Sequence, residues 1–209
     1  MLKFIFGDDL HHYPKLRRTM FQDRAWQFRE RLGWDVKVGR DGAERDQYDH
    51  LNPIYVIWQK ADGSHGGSMR SLPTTGRTMV NEHFDHITGT QISSPTIWEC
   101  TRFCLSPDSD RNTATMLILG GLQLGLRFGA THTVGVFDER MKLIYRRLKW
   151  PPEVLGTQGE GKDAISVGIW EFNEETRDRL CAAAGISPSL IEGWIDQSIG
   201  LEKLTSATA

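Results

Sequence analysis

The chain has 209 residues, 39% hydrophobic and 25% charged, with a formal net charge of -2. That length suits one domain with a substantial core, and the near-neutral balance argues against non-specific binding to nucleic acid. No apolar run is long enough to span a membrane: the most apolar window, Met116 to Phe128, is short and interrupted by Gly120, Gly121 and Gly125. Cys100, Cys104 and Cys181 have neither zinc-site spacing nor an even count, which predicts buried thiols in a reducing compartment. The first residues turn acidic after a run too short for a signal peptide, so a cytoplasmic protein is expected, with no membrane partner.

In chain order, Lys3 to Phe6 predicts a short edge strand. From His11 to Arg31 the pattern is helical, with Tyr13, Leu16, Met20, Arg24 and Phe28 three and four apart on one face. Arg24 is a permanent charge on that apolar stripe, either snorkelling from it or used. Gly33, in Arg-Leu-Gly-Trp, suits the helix end. Residues 35–53 are polar and loop-like and carry Asp46 and Asp49. Ile54 to Lys60 and His65 to Leu72 predict a hairpin across Ala61-Asp-Gly-Ser, with Arg70 on its second strand. Residues 73–97, including Phe84, read as loop and short helix.

Trp98 to Leu105 is bracketed by turn signals and holds Glu99 and Arg102 among residues that favour burial. Strict alternation puts Glu99, Thr101 and Phe103 on one face and Arg102 on the other; only a bulge brings Glu99 and Arg102 together. Asp110 is expected to cap a buried helix running to about Phe128, whose glycines permit close approach to a sheet. A strand follows over 131–137. Asp138 then caps a basic helix carrying Arg140, Lys142, Arg146, Arg147 and Lys149, which Trp150-Pro-Pro breaks. A strand over 164–172, a helix capped by Asn173 and a last helix over 187–197 complete the chain, with a loose tail after Leu201. The order predicts an α/β (α+β) domain over 1–209, a mixed twisted sheet covered on both faces.

Arg24, Phe28, Trp34, Asp46, Asp49, Arg70, Phe84, Glu99 and Arg102 form an ordered set that resembles the acyl-homoserine-lactone synthases, the bacterial autoinducer synthases. The residue types, their order and very nearly their spacings match over about the first half of the chain. Downstream, Glu139–Trp150 looks like the family's helix leading into Gly-Trp, with Lys149 in place of that glycine. The resemblance implies a fold like the GNAT acetyltransferases, in which a splayed pair of parallel strands admits the acyl donor.

It also implies a reaction. The amine of S-adenosylmethionine attacks an acyl thioester, and the methionine carboxylate then closes to a homoserine lactone, releasing methylthioadenosine. No metal and no cofactor beyond S-adenosylmethionine, as substrate, is implied. An ammonium must lose a proton to attack, which needs a base; Glu99 is the candidate, with Asp46 beside it. Asp49, Arg24, Arg70 and Arg102 suit the charged substrate or each other, Phe28 and Trp34 suit its sulfonium or adenine, and Phe84 is assigned to substrate binding. Phe103 and Gly135 are assigned to the acyl pocket. Counted back from Trp150, Gly135 stands where family members making 3-oxo signals carry threonine, so a donor unsubstituted at C3, or with a hydroxyl satisfied elsewhere, is expected; a two-residue shift puts Thr133 there instead. The basic helix would dock an acyl-carrier protein or the phosphates of CoA. Residues 106–113 have no glycine and two acids, a poor phosphate cradle that favours the carrier protein. The rival readings are a GNAT-like acyltransferase using acyl-CoA on another amine, and a non-catalytic sensor on the same scaffold.

Overall fold

The structure, a computed structural model, describes residues 1–148 and 150–199. The predictions for Lys149 and for the tail after Leu201 therefore lie outside the described residues. Seven strands form one sheet: β1 (Leu2–Phe6), β2 (Ile54–Gln59), β3 (His65–Pro73), β4 (Ile97–Leu105), β5 (His132–Asp138), β6 (Glu153–Gln158) and β7 (Ile165–Glu171). Their spatial order is β1-β2-β3-β4-β5-β7-β6. Every neighbouring pair is antiparallel except β4 and β5, which run parallel. β1 is at the sheet's edge, as expected. β6 went unread in the sequence because its residues are nearly all exposed and carry no apolar alternation.

Helices α1 (Pro14–Ala25), α2 (Met79–His83) and α3 (Asp85–Thr88) cover one face. Ile5, Tyr55 and Ile57 of the sheet meet Leu16, Met20 and Phe21 of α1 there, and Val80 of α2 meets Val134 and Val167. On the opposite face α4 (Thr113–Arg127) lies against Leu2, Phe4, Val56 and Met69, backed by α6 (Glu174–Ala184) and α7 (Pro188–Ser198). The glycines of α4 set that distance: a Cβ on Gly121 would collide with Met69 and one on Gly125 with Phe172. α5 (Glu139–Arg147) follows β5, and Asp138 caps it by accepting from the Met141 N–H. Asn173 and Ser187 cap α6 and α7 in the same way. Asp110 does not cap α4. The cap position is Asn112, with no side-chain bond, and the Asp110 backbone carbonyl accepts from Thr113 instead.

Two local departures shape the site. The helix predicted over 11–31 is not uniform: α1 ends at Ala25 and a wider π-helical turn, Trp26–Arg31, follows. In β4, Ser68 pairs with Cys104 but Arg70 pairs with Thr101, so Arg102 and Phe103 together oppose Met69. This is a β-bulge, and Arg102 takes the left-handed conformation, φ 53°, costly for any residue with a Cβ. The extra residue breaks the alternation and turns Arg102 to the same face as Glu99 and Thr101.

Candidate active site

Arg24, on α1 and only 1% exposed, does not snorkel. It reaches Glu44 at 2.6 Å and Asp49 at 2.9 Å. Glu44 also binds Arg102 at 3.0 Å, and Arg102 binds Asp46 at 2.8 Å. Asp46 binds Arg70 at 2.5 Å, and Arg70 returns to Asp49 at 2.7 Å. Three arginines and three carboxylates thus alternate around a closed ring of zero net charge. Burying single charges would be prohibitive; alternation gives every one two opposite neighbours. The Tyr55 hydroxyl donates to Asp49 at 2.6 Å, the Thr101 hydroxyl accepts from Arg70 at 3.0 Å, and the backbone N–H groups of Asp46 and Tyr48 fill further carboxylate lone pairs. Burial works to raise both aspartates, but Arg24 and Arg70 hold Asp49, and Arg70 and Arg102 hold Asp46, below the usual range.

Glu44 is the ring member that sequence reasoning missed. In the sequence it is one acid among several in a polar loop, next to Arg45-Asp46, and its isolated bridge to Val38 shows only in the structure. Tyr55 and Thr101 were hidden as ordinary strand residues.

The ring opens toward solvent at Arg102 and Asp46, whose side chains are 12% and 13% exposed. The Arg102 guanidinium lies 5.4 Å from the centre of the buried Phe28 ring. Trp34 stacks on Phe28 at 5.1 Å with 13° between planes, and is 44% exposed. The π-helical turn delivers Phe28 to this place. Phe84 is partly buried and packs against the apolar cluster of Val80, Val134 and Val167.

Glu99 is buried on the same sheet face, where its carboxylate accepts from the Val80 N–H at 2.5 Å and the Met79 N–H at 3.1 Å, the first two amides of α2. Burial raises its pKa, opposed by those amides and by Arg70. Immediately past it the sheet parts: β4 and β5 pair only at Ile97–His132, Trp98–Thr133 and Glu99–Val134. On the α4 face beside this split lie Phe137, Tyr145, Trp150 and Trp170, in ring contacts of 4.9 to 6.5 Å. Gly135 faces this wall. A Cβ there would lie 3.2 Å from the Cys100 carbonyl and 3.5 Å from Trp170. The Thr133 hydroxyl donates to the Trp98 carbonyl at 3.0 Å. Phe103 packs toward the α4 cluster, on the face away from Glu99. Burial pushes the Cys100 thiol up to about 12, which keeps it a thiol. Arg140, Arg146 and Arg147 of α5 are exposed, and Lys142 pairs with Glu139 at 2.7 Å.

The autoinducer synthase family model matches residues 9–180, taking in the ring, Glu99 and the split. The chain belongs to the autoinducer synthase family. It is 41% identical to an acyl-homoserine-lactone synthase of Rhizobium etli over 183 residues, 84% of this chain and 86% of that relative. It is therefore an acyltransferase that makes an acyl-homoserine-lactone signal. Among solved structures, BjaI, described as a CoA-dependent acyl-homoserine lactone synthase with SAM and isopentyl-CoA, superposes with a TM-score of 0.80 at 23% identity, covering 89% of this chain and 90% of its own. An acyl-CoA N-acyltransferase from Pseudomonas aeruginosa superposes at 0.56 and 13% identity, over 81% and 98%. Those two likenesses concern the fold, which is GNAT-like as the family resemblance implied.

Proposed function

We propose that S-adenosylmethionine binds at the open end of the charge ring, with its amine directed to Glu99, and that the acyl thioester enters the split between β4 and β5. The observation that carries this reading is the position of Glu99, a buried carboxylate with a raised pKa between a prebuilt ionic wall and the one parted strand pair of the sheet. Arg102 and Asp46 present one charge of each sign to a substrate that carries a carboxylate, an ammonium and a sulfonium, while the exposed Trp34, stacked on the buried Phe28, offers an aromatic face to the cation. The other ring members, Arg24, Arg70, Glu44 and Asp49, keep these two charges in place.

In the chemical step Glu99 takes a proton from the ammonium. The neutral nitrogen attacks the thioester carbon, the C–S bond breaks, and the departing sulfur takes the second proton released as the amide forms. Backbone N–H groups of β4 beyond Glu99, on the edge that makes no ladder with β5, stabilise the oxyanion. The methionine carboxylate then attacks the carbon bearing the sulfonium, and methylthioadenosine leaves. Of the two thioester classes, the acyl-carrier protein is favoured: α5 presents exposed basic side chains to an acidic protein surface, and residues 106–113 make a poor phosphate cradle. Product mass spectrometry of the purified protein with S-adenosylmethionine and parallel panels of acyl-carrier-protein and acyl-CoA donors tests the reading. An acyl-homoserine lactone and methylthioadenosine in equal amounts are expected, with faster turnover of carrier-protein donors. Absence of lactone from every donor would overturn the assignment of the site.

A further inference from the structure

Among the described residues a few buried side-chain polar atoms have no hydrogen-bond partner, and one of them is the hydroxyl of Thr78, the residue before Met79, whose N–H binds the Glu99 carboxylate at 3.1 Å. Thr78 is fully buried at the cap position of α2, with an extended backbone at φ -137° and ψ 153°. A threonine there ordinarily accepts from the second or third amide of its helix. Here the Glu99 carboxylate has taken the first two amides, Met79 and Val80, and the Thr78 side chain makes no cap. A buried hydroxyl without a partner costs about 1–3 kcal/mol, and native proteins seldom keep one without a use or a water. Valine would fill the same space without that cost. A buried water needs two to four polar partners. Thr78, the remaining lone pairs of Glu99 and the substrate ammonium together provide that number.

We infer that Thr78 is a positioning residue whose hydroxyl, with Glu99, holds the water through which the substrate amine loses its proton. The inference rests on the reading of Glu99 as the base. The ammonium gives a proton to the water as the water gives one to Glu99. The nitrogen lone pair so freed forms the C–N bond, and the thiolate leaving group takes the proton shed by the new amide nitrogen. Nothing else is consumed.

The test compares Thr78→Val and Thr78→Ser with the unsubstituted enzyme, in wild-type and Glu99→Gln backgrounds, using S-adenosylmethionine with whichever of hexanoyl-acyl-carrier protein and hexanoyl-CoA turns over faster. Thr78→Val should lower kcat about 10- to 100-fold with KM for the donor unchanged. Its acid limb of kcat/KM should move to higher pH, since a carboxylate deprived of a hydrogen-bonded water ionises less readily. Thr78→Ser should restore both. In the Glu99→Gln background Thr78→Val should cost nothing further. Thr78→Ala carries the same readouts if the valine variant folds poorly. A Thr78→Val enzyme with unchanged kcat and pH profile and a raised Tm would overturn the inference, leaving the hydroxyl as a mere unpaired group. If Glu99→Gln itself turned over normally, the fault would lie with Glu99 as base.

Discussion

On the α1 face of the sheet, six charged side chains close a ring in which every charge has two opposite partners. On the α4 face, beside the same split in the sheet, Phe137, Tyr145, Trp150 and Trp170 meet with no ion pair among them. The first wall is specified atom by atom, because a single missing partner leaves a buried charge. The second is specified mainly by volume, with one hydrogen bond from the Trp170 indole to the Trp150 carbonyl, and admits replacements of similar volume at modest cost. Substitutions should therefore act in opposite ways on the two sides: all-or-none at the ionic wall and Glu99, graded and donor-dependent at the aromatic wall.

The largest effect belongs to Glu99, where the walls meet. Glu99→Gln should keep the fold and lower the acylation rate roughly 10²–10⁴-fold, as loss of a general base does. Because burial raises this carboxylate, the acid limb of kcat/KM should lie above the ordinary glutamate value of about 4.3. Pre-steady-state amide formation measures both, and near wild-type turnover would assign the base elsewhere.

Next comes the ring. Removing one partner of a buried pair costs about 3–5 kcal/mol, so Arg24→Ala and Asp49→Ala should each approach unfolding, and Arg24→Ala and Asp46→Ala should each weaken S-adenosylmethionine binding. Arg24 touches Asp49 but not Asp46; their side chains are linked through Asp49 and Arg70 on one side of the ring and through Glu44 and Arg102 on the other. Both double variants should lose less than the sum of the singles, with the larger coupling in Arg24/Asp49. Strict additivity in calorimetric titration and denaturant unfolding would mean the ring does not act as a unit. The pH dependence has a definite sign. Asp46 and Asp49 are held below the ordinary aspartate value of about 3.9. Their stabilisation is therefore complete above that value and is lost as pH falls through the depressed folded values. Asp49→Asn should flatten that acid-side loss.

The contrast between the walls also explains what could be read from the sequence. Buried charges are conspicuous because they break an apolar pattern, so Arg24 between Met20 and Phe28, and Glu99 and Arg102 in an apolar strand, drew attention, and the family resemblance turned them into candidate site residues. Glu44 escaped because an acid in a polar loop breaks no pattern. The Arg102 bulge was legible only as the one way to reconcile alternation with a shared face. The split in the sheet depends on where the β4–β5 ladder stops, a three-dimensional matter that the family resemblance supplied and the residues alone did not. β6 was invisible because an exposed edge strand carries neither burial nor period.

At the aromatic wall the effect is smaller and concerns choice of donor. The Thr133 hydroxyl is engaged with the Trp98 carbonyl, and a side chain at Gly135 would press on Cys100 and Trp170. Neither position thus offers a free donor to an oxygen at C3. A 3-oxo chain would leave that oxygen unpaired, at about 1–3 kcal/mol, so acyl donors unsubstituted at C3 should win in direct competition at equal length and concentration. Dominance of the 3-oxo product would show that another group supplies the missing hydrogen bond.

The smallest effect is expected furthest from the chemistry, on α5. Arg140, Arg146 and Arg147 are exposed, so each contact they make with a partner is screened by salt and worth on the order of 0.2–1 kcal/mol. Reversing Arg146 and Arg147 to Glu should leave kcat and Tm nearly unchanged and raise KM for a carrier-protein donor several-fold, more at low than at high ionic strength. A CoA donor should respond far less, since it brings no extended acidic surface to meet the helix. The ratio of the two KM changes is therefore more telling than either alone. Equal changes for both donors would place the phosphates, rather than a protein surface, at α5. No change for either would make this helix a solvated face and move the docking surface elsewhere on the molecule.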